Sequence, residues 1–406
     1  MAKHQRKTTF PWRSVISGAI AVALVAASGL YLASRLPAIS TYANVSIRPT
    51  VAVLPVGTAG SLVFPTEGSA AVSIPDAQVR AATSAQPEVP IASLTKMMTA
   101  EVALELLPLS LGQPGPCLHV TPDDVSEYVH DRATDQSTVR VVVGDELCER
   151  QLLDGLFVHS ASNYATMLVR LTGLSMSSFI DQMNHTAIVL SMNHTTYADV
   201  SGYDPASVST ALDQLKLAEH VMQWPVVANI VQQTTVTLPG AGTVSTYTPL
   251  LGENGVVGIK SGRTSQAGGC DALALRRVVN GTTFLTFAVV LSQHGGDVLA
   301  AAGNAAYALA DSAAAHVVGR TWVKGQRVGS VGWAGYTQPL VVGTTVSALW
   351  LASQSESASY GPLAPATHYK KGDVVGTLIL SGPAPRVVSL VAGGDVSPPS
   401  WWERLR

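Results

Sequence analysis

Residues 90–100 read Pro-Ile-Ala-Ser-Leu-Thr-Lys-Met-Met-Thr-Ala. Ser93 and Lys96 stand three apart, so a helix here makes them neighbours on one face. A serine hydroxyl is a weak nucleophile and needs a base within hydrogen-bond reach. A lysine one turn on can be that base if burial or another cation keeps its amine neutral. The field at a helix amino terminus favours negative charge forming at the serine. Downstream, Met97, Ala100, Val102, Leu104 and Leu107 fit a helix buried on most sides. S-x-x-K alone also fits a helix cap followed by a lysine lying along apolar surface.

Lysine is scarce around this stretch. Between Ser14 and Ala315 the only others are Lys216 and Lys260. Lys260 sits in Gly258-Ile259-Lys260-Ser261-Gly262-Arg263-Thr264, which runs into Ala267-Gly268-Gly269-Cys270. A strand edge with Lys-Ser-Gly offers an ammonium, a hydroxyl and, at Gly262, an unobstructed backbone. Lys260 can also hold Lys96 neutral, because like charges oppose each other's protonation. The plain alternative is an edge lysine that discourages strand-to-strand aggregation. A third group, His159-Ser160-Ala161-Ser162-Asn163, puts hydroxyls and an amide inside an apolar helical region. These groups serve either as a local cap or as a proton relay.

Outward from these motifs the chain reads as a mixed α/β domain over 61–315. Ser61 to Val79 suggests one or two strands. Gln151 to Leu171 is helical, and Thr210 to Met222 is a helix stopped by Pro225. Gly258–Gly262, Asp271–Val279 and Thr282–Leu291 read as strands of one sheet. From 316 to 398 the texture becomes short β-branched runs, at 328–331, 340–351, 374–380 and 387–391, with a turn at Lys371-Gly372-Asp373. This is a small all-β domain.

The amino terminus has its own pattern. Residues 1–13 carry Lys3, Arg6, Lys7 and Arg13 and no acid, as a cytoplasmic basic leader does, and residues 14–34 carry no charge. A helix of that length spans roughly 31 Å, enough for a bilayer core. The apolar run continues through Ala33, which favours a single-pass membrane anchor over a signal cleaved near Ala26-Ala27-Ser28. Residues 35–60, with Pro37, Pro49 and Pro55, then form a linker. At the other end, 399–406 contains Trp401, Trp402, Arg404 and Arg406, either a terminal cap or a membrane-interface contact.

Composition narrows the field. The chain has 406 residues, 47% hydrophobic and 13% charged, with net charge −2. That excludes a disordered chain and a nucleic-acid binder working through bulk positive charge. There is no H-E-x-x-H, no G-x-x-x-x-G-K-[ST] and no G-x-S-x-G, which removes zincin, P-loop and α/β-hydrolase readings. No histidine pairs with an acid or cysteine at metal spacing. Cys117 and Cys148 lie in strand-like stretches that flank 119–146 and could pair, which predicts a disulfide in an exported domain. Cys270 reads as a small buried residue beside the site.

The order S-x-x-K, S-x-[SN], K-[ST]-G resembles the serine acyltransferases that include penicillin-binding proteins and class A β-lactamases. Residues 90–100 resemble a segment of the D-alanyl-D-alanine carboxypeptidase family nearly letter for letter, and 258–270 resemble its third motif including the trailing T-x-x-A-G-x-C. Asp199-Val200-Ser201-Gly202 and Ser209-Thr210-Ala211 resemble its intermediate segments. The likeness covers about 62–310. It implies an α/β fold of the β-lactamase/transpeptidase type, an antiparallel sheet with flanking helices plus a helical subdomain. It also implies roles. Ser93 attacks the carbonyl of the penultimate D-alanine, Lys96 accepts its proton, and Ser160 passes a proton toward the leaving amine. Lys260, Ser261 and Thr264 bind the terminal carboxylate, with Gly262, Arg263 and Asn163 completing the substrate site. The N–H groups of Ser93 and Arg263 form the oxyanion hole. No metal or cofactor is required. The implied partners are peptidoglycan stem peptides ending in D-Ala-D-Ala, with β-lactams as acylating inhibitors.

Two features depart from the family pattern. The second motif has Ser162 where the family has asparagine, and Asn163 follows one place later. An arginine found on the strand after the third motif has no match near Ser292-Gln293-His294, which leaves Arg263 or Arg276 to compensate. No E-x-x-L-N follows the second motif, which argues against a class A β-lactamase. A β-lactamase, and a non-catalytic wall-binding or β-lactam-sensing scaffold, remain as alternatives.

Overall fold

The computed structural model describes residues 61–333, 336–352, 357–361, 368–381 and 386–397. The leader, anchor and linker readings (1–60) and the 399–406 tail lie outside these residues. Among the described residues no helix is long and apolar enough to cross a membrane.

A five-stranded antiparallel sheet forms the frame. Its strands are β1 (Ser69–Ile74), β2 (Val79–Ala82), β3 (Val256–Thr264), β4 (Gly268–Val279) and β5 (Thr282–Gln293). The order across the sheet is β2-β1-β5-β4-β3, so β3 is an edge. Asn280-Gly281 joins β4 to β5 with both residues at positive φ, the geometry that suits a two-residue hairpin. The register pairs Ala272 with Lys260 and Cys270 with Gly262.

Both faces of the sheet are covered. On one face Leu273, Leu275, Ala288 and Val290 pack with Ala306, Leu309, Ala310 and Ala313 of a long helix, Val298–Ala314. On the other, Cys270, Ala272, Ala274 and Val289 join a larger core built by helices. At its centre is α1 (Thr95–Leu106), with every residue from Thr95 to Leu104 buried. Around it stand α2 (Glu149–Val158), α3 (Ser162–Thr172) and α4 (Ala211–Val221). A helix buried all round is expected where apolar residues leave no polar stripe. Two of the polar groups of α1 are bonded: the Thr99 hydroxyl donates to Val200 O (2.7 Å), and Glu101 accepts from the Trp224 indole (3.0 Å).

Helices 122–133, 176–189 and 298–314 escape the sequence reading. The first has a polar face and begins with a capping box, Thr121 and Asp124, with Pro122 in its first turn. The last is mostly alanine, so its apolar stripe is weak in contrast. Pro225 does more than stop α4: it opens a further short helix, Pro225–Ile230, where a missing N–H costs nothing.

Past Ala315, strands 327–333, 336–342, 357–360, 374–381 and 386–392 form a second sheet, and 317–322 pairs with 346–351. Trp322, Val331, Leu340, Leu378 and Leu390 fill its core. The run 340–351 is two strands, divided at Gly343-Thr344-Thr345. Cys117 and Cys148 face each other on a short antiparallel pair and are disulfide-bonded, as the flanking strands predict. Cys270 is fully buried beside the site, and burial pushes its thiol up to about 12.

Candidate active site

Ser93 lies in a single 3-10 turn, Ala92–Leu94, that runs straight into α1. Lys96 therefore sits one turn on, and its Nζ donates to Ser93 Oγ at 2.9 Å. A second bond goes to Ser201 O at 2.8 Å. Burial lowers the Lys96 ammonium from 10.5 to about 8, against the opposing pull of the Asp199 and Asp131 carboxylates.

Across the cleft, Lys260 Nζ donates to Ser160 Oγ at 2.9 Å and to Ser261 O at 2.7 Å. Burial drives Lys260 well below its ordinary value, and the Lys96 charge adds to this. Burial is the first cause of the lowered Lys96 value, and the repulsion between the two ammonium groups adds to the lowering at Lys260.

Both the Ser93 and the Ser160 hydroxyl hang on strained backbone. Ser160 has φ 58°, and Ala92, just before Ser93, has φ 49°. Left-handed conformations at such residues cost about 1–3 kcal/mol each and cluster at active sites.

Two glycines allow the parts to meet. A Cβ on Gly262 would lie 2.6 Å from Ser93 N, so strand β3 touches the Ala92–Leu94 turn through this residue. That contact sets the N–H of Ser93 beside the Arg263 segment, the pair implied for the oxyanion hole. A Cβ on Gly202 (φ +79°) would lie 1.8 Å from Ala92 O. The loop holding Ser201 is built on Asp199, whose carboxylate accepts from Ser201 Oγ (2.8 Å), Tyr203 N (2.9 Å) and Ser207 Oγ (2.6 Å). Asp199 thereby aims the Ser201 carbonyl at Lys96.

The cleft between these elements measures about 1120 Å³ and is lined by Ser93, Lys96, Ser160, Ser261, Gly262, Arg263 and Thr264. Lys260 lies directly beneath it, 1% exposed. Of the predicted set, the structure leaves out Asn163. Its amide bonds the backbone of Val139 in both directions, accepting from the N–H (3.1 Å) and donating to the carbonyl (2.8 Å). The cleft wall carries Ser162 in its place, and Ser162 N donates to Ser137 O (2.8 Å). Asn163 is a positioning residue for the 134–139 loop, and the assignment to substrate is withdrawn. Arg263 lines the cleft, whereas Arg276 bonds Gln232 at the far end of β4 and cannot compensate for the missing arginine.

Tyr247 was missed. Its carbonyl accepts from Ser261 Oγ (2.9 Å), and its ring lies 4.7 Å from that of His159. Nothing local in the sequence marks it. The roles of Ser201 and Asp199 were only implied, although their D-x-S-G motif is visible.

The family model of D-alanyl-D-alanine carboxypeptidase matches residues 70–293, which hold all of these groups. The chain belongs to the D-alanyl-D-alanine carboxypeptidase family. A D-alanyl-D-alanine endopeptidase of Haemophilus influenzae is 34% identical over 131 residues, 32% of this chain and 41% of the relative. A D-alanyl-D-alanine carboxypeptidase of a Streptomyces species is 29% identical over 203 residues, 46% of this chain and 67% of the relative. The chain thus spans about two-fifths of the length of the endopeptidases of H. influenzae and Pseudomonas aeruginosa that it matches. Among solved structures, penicillin-binding protein 3 of Streptococcus pneumoniae superposes with a TM-score of 0.60 at 17% identity, over 82% of this chain and 99% of that one. Penicillin-binding protein 5 of H. influenzae gives 0.58 at 18% identity, over 84% and 100%. At those identities the superpositions establish the transpeptidase-like fold of this family member.

Proposed function

We propose that the protein is a serine-type D-Ala-D-Ala carboxypeptidase that removes the terminal D-alanine from peptidoglycan stem peptides. The observation that carries this is the Lys96–Ser93 hydrogen bond, set in one cleft with the Lys260–Ser160 pair.

Neutral Lys96 takes the proton of Ser93 as its oxygen attacks the penultimate D-alanine carbonyl. The N–H groups of Ser93 and Arg263 stabilise the resulting oxyanion, each donor being worth about 3 kcal/mol in such sites. The proton taken by Lys96 then passes through the Ser160 hydroxyl, bonded to Lys260, to the departing amine, which restores Ser160 and leaves Lys96 neutral again. The C–N bond breaks, free D-alanine leaves, and the acyl group remains on Ser93. Water then attacks that ester with Lys96 as base and restores the serine. Before this, Lys260, Ser261 and Thr264 receive the substrate carboxylate. A bound carboxylate adds a second negative charge to that of Asp271 beside Lys260, and so favours its protonated form. Residues 14–34 would tether the domain outside the cytoplasm, where both the disulfide and the peptidoglycan substrate belong.

Endopeptidase action on cross-linked peptides is a second reading, favoured by the names of the H. influenzae and P. aeruginosa relatives. A β-lactamase is disfavoured: among the described residues lining the cleft there is no glutamate to drive deacylation.

Release of free D-alanine from a peptide ending in Lys-D-Ala-D-Ala tests the proposal. Loss of that release in Ser93→Ala supports it. Acylation by penicillin with no D-alanine release would instead point to a sensing scaffold.

A further inference from the structure

A second cavity of about 290 Å³ opens beside the catalytic cleft. The two share Gln136, Ser162, Ser201 and Tyr203, so a substrate held in one can reach the other. The second cavity has a distinct character. Its acids are Glu127, Asp131, Asp199 and Asp204, its one basic side chain is His130, and neither lysine nor arginine lines it. Met176, Ile180, Ala198 and Val200 supply apolar wall.

Two of the acids are already occupied. Asp199 is used up by its own loop, and Asp204 accepts from Ala206 N (2.8 Å). Asp131 is different. Its side chain is 3% exposed, one oxygen accepts from Gln136 Nε2 (3.0 Å), and the other is buried with no partner. A buried carboxylate oxygen left unpaired is costly, and a cation arriving there would remove the cost.

We propose that this cavity is a subsite for a primary ammonium carried on an aliphatic stem by the acyl half of the substrate. The proposal rests on the carboxypeptidase reading, and it adds what selects the peptide. The ammonium pairs with Asp131 while the methylene stem lies against Met176, Ile180 and Ala198. Such an ammonium belongs to either a lysine-like side chain or a free α-amino group. Occupation has a consequence for catalysis. Asp131 is one of the two carboxylates that pull a proton onto Lys96. A cation beside Asp131 weakens that pull and favours the neutral amine.

The test uses full-length Ser93→Ala, which binds without turnover, and three peptides ending in Lys-D-Ala-D-Ala. One is acetylated on the α-amine, one on the ε-amine and one on both. Calorimetric titration is expected to show about tenfold tighter binding for a peptide with a free amine, the worth of one charge-assisted hydrogen bond. Which monoacetyl peptide wins identifies the source of the ammonium. The preference should vanish when Asp131→Asn is added. It should vanish again with Met176→Lys, which places the chain's own ammonium at the half-exposed rim without disturbing the core. Equal affinity for all three peptides overturns the subsite, as does a preference that survives both added substitutions. D-alanine release by the wild-type chain is scored separately, so failure of the activity and failure of the subsite give different results.

Discussion

Raising the pH should accelerate acylation of Ser93. Lys96 acts only as the neutral amine, and burial places its pKa at about 8. At pH 7 about one molecule in ten then carries the neutral base, and at pH 9 about nine in ten. An unburied lysine would offer fewer than about one in a thousand at pH 7, so burial supplies more than a hundredfold, about 3 kcal/mol of the barrier. The second-order rate of labelling by a fluorescent penicillin should therefore climb about tenfold between pH 7 and 9 and level off above that. Asp199 and Asp131 hold the proton on Lys96, so Asp131→Asn should move the climb to lower pH. The assay is stopped-flow labelling of the wild-type chain, Asp131→Asn and Lys96→Ala across pH 6–10. A rate that is flat over this range, or that climbs only above pH 10, refutes the buried-base account. So does Lys96→Ala labelling at the wild-type rate.

Four further outcomes follow from the contacts described. Asn163→Ala strips both bonds from the buried Val139 backbone, so denaturant unfolding should show a loss of about 2–4 kcal/mol, with slower labelling as the 134–139 loop loosens. Gly202→Ala forces a Cβ into Ala92 O and should cost at least about 2 kcal/mol by the same measurement, while an unchanged midpoint would place that loop elsewhere. The Cys117–Cys148 bond spans 31 residues, so Cys117→Ser/Cys148→Ser should lose about 3–4 kcal/mol of stability. Burial pushes Glu149 up to about 7 from 4.5, so the folded form binds the extra proton between these values. Wild-type stability falls as pH rises through 7, and Glu149→Gln should gain about 3 kcal/mol over wild type at pH 8 but almost nothing at pH 4, read as thermal midpoints.

The parts of the site that could be read from the sequence are those set by short spacing. Ser93 and Lys96 meet because a helical turn brings i and i+3 together, whatever the rest of the fold does. Lys260, Ser261 and Gly262 were legible because strand β3 presents them in order along one edge. Asn163 was misplaced because its partner is Val139, 24 residues earlier, and no spacing rule reveals a side chain pinned to a distant loop. Tyr247 acts through its carbonyl, which every residue possesses, so its identity carried no signal. The repulsion between Lys96 and Lys260 could be guessed from charge, but the burial that first lowers both depends on the complete packing of α1 against the sheet. In the fold, the sheet strands stood out by their alternating or apolar runs, whereas the alanine-rich helix 298–314 lacked contrast between its faces.

Intact mass of the full-length chain after incubation with benzylpenicillin bears most directly on the central claim, that Lys96 makes the Ser93 hydroxyl nucleophilic. The wild-type chain should gain the mass of one penicillin, and Ser93→Ala should gain none. An adduct that persists in Ser93→Ala, or a wild-type chain that stays unmodified, would contradict it.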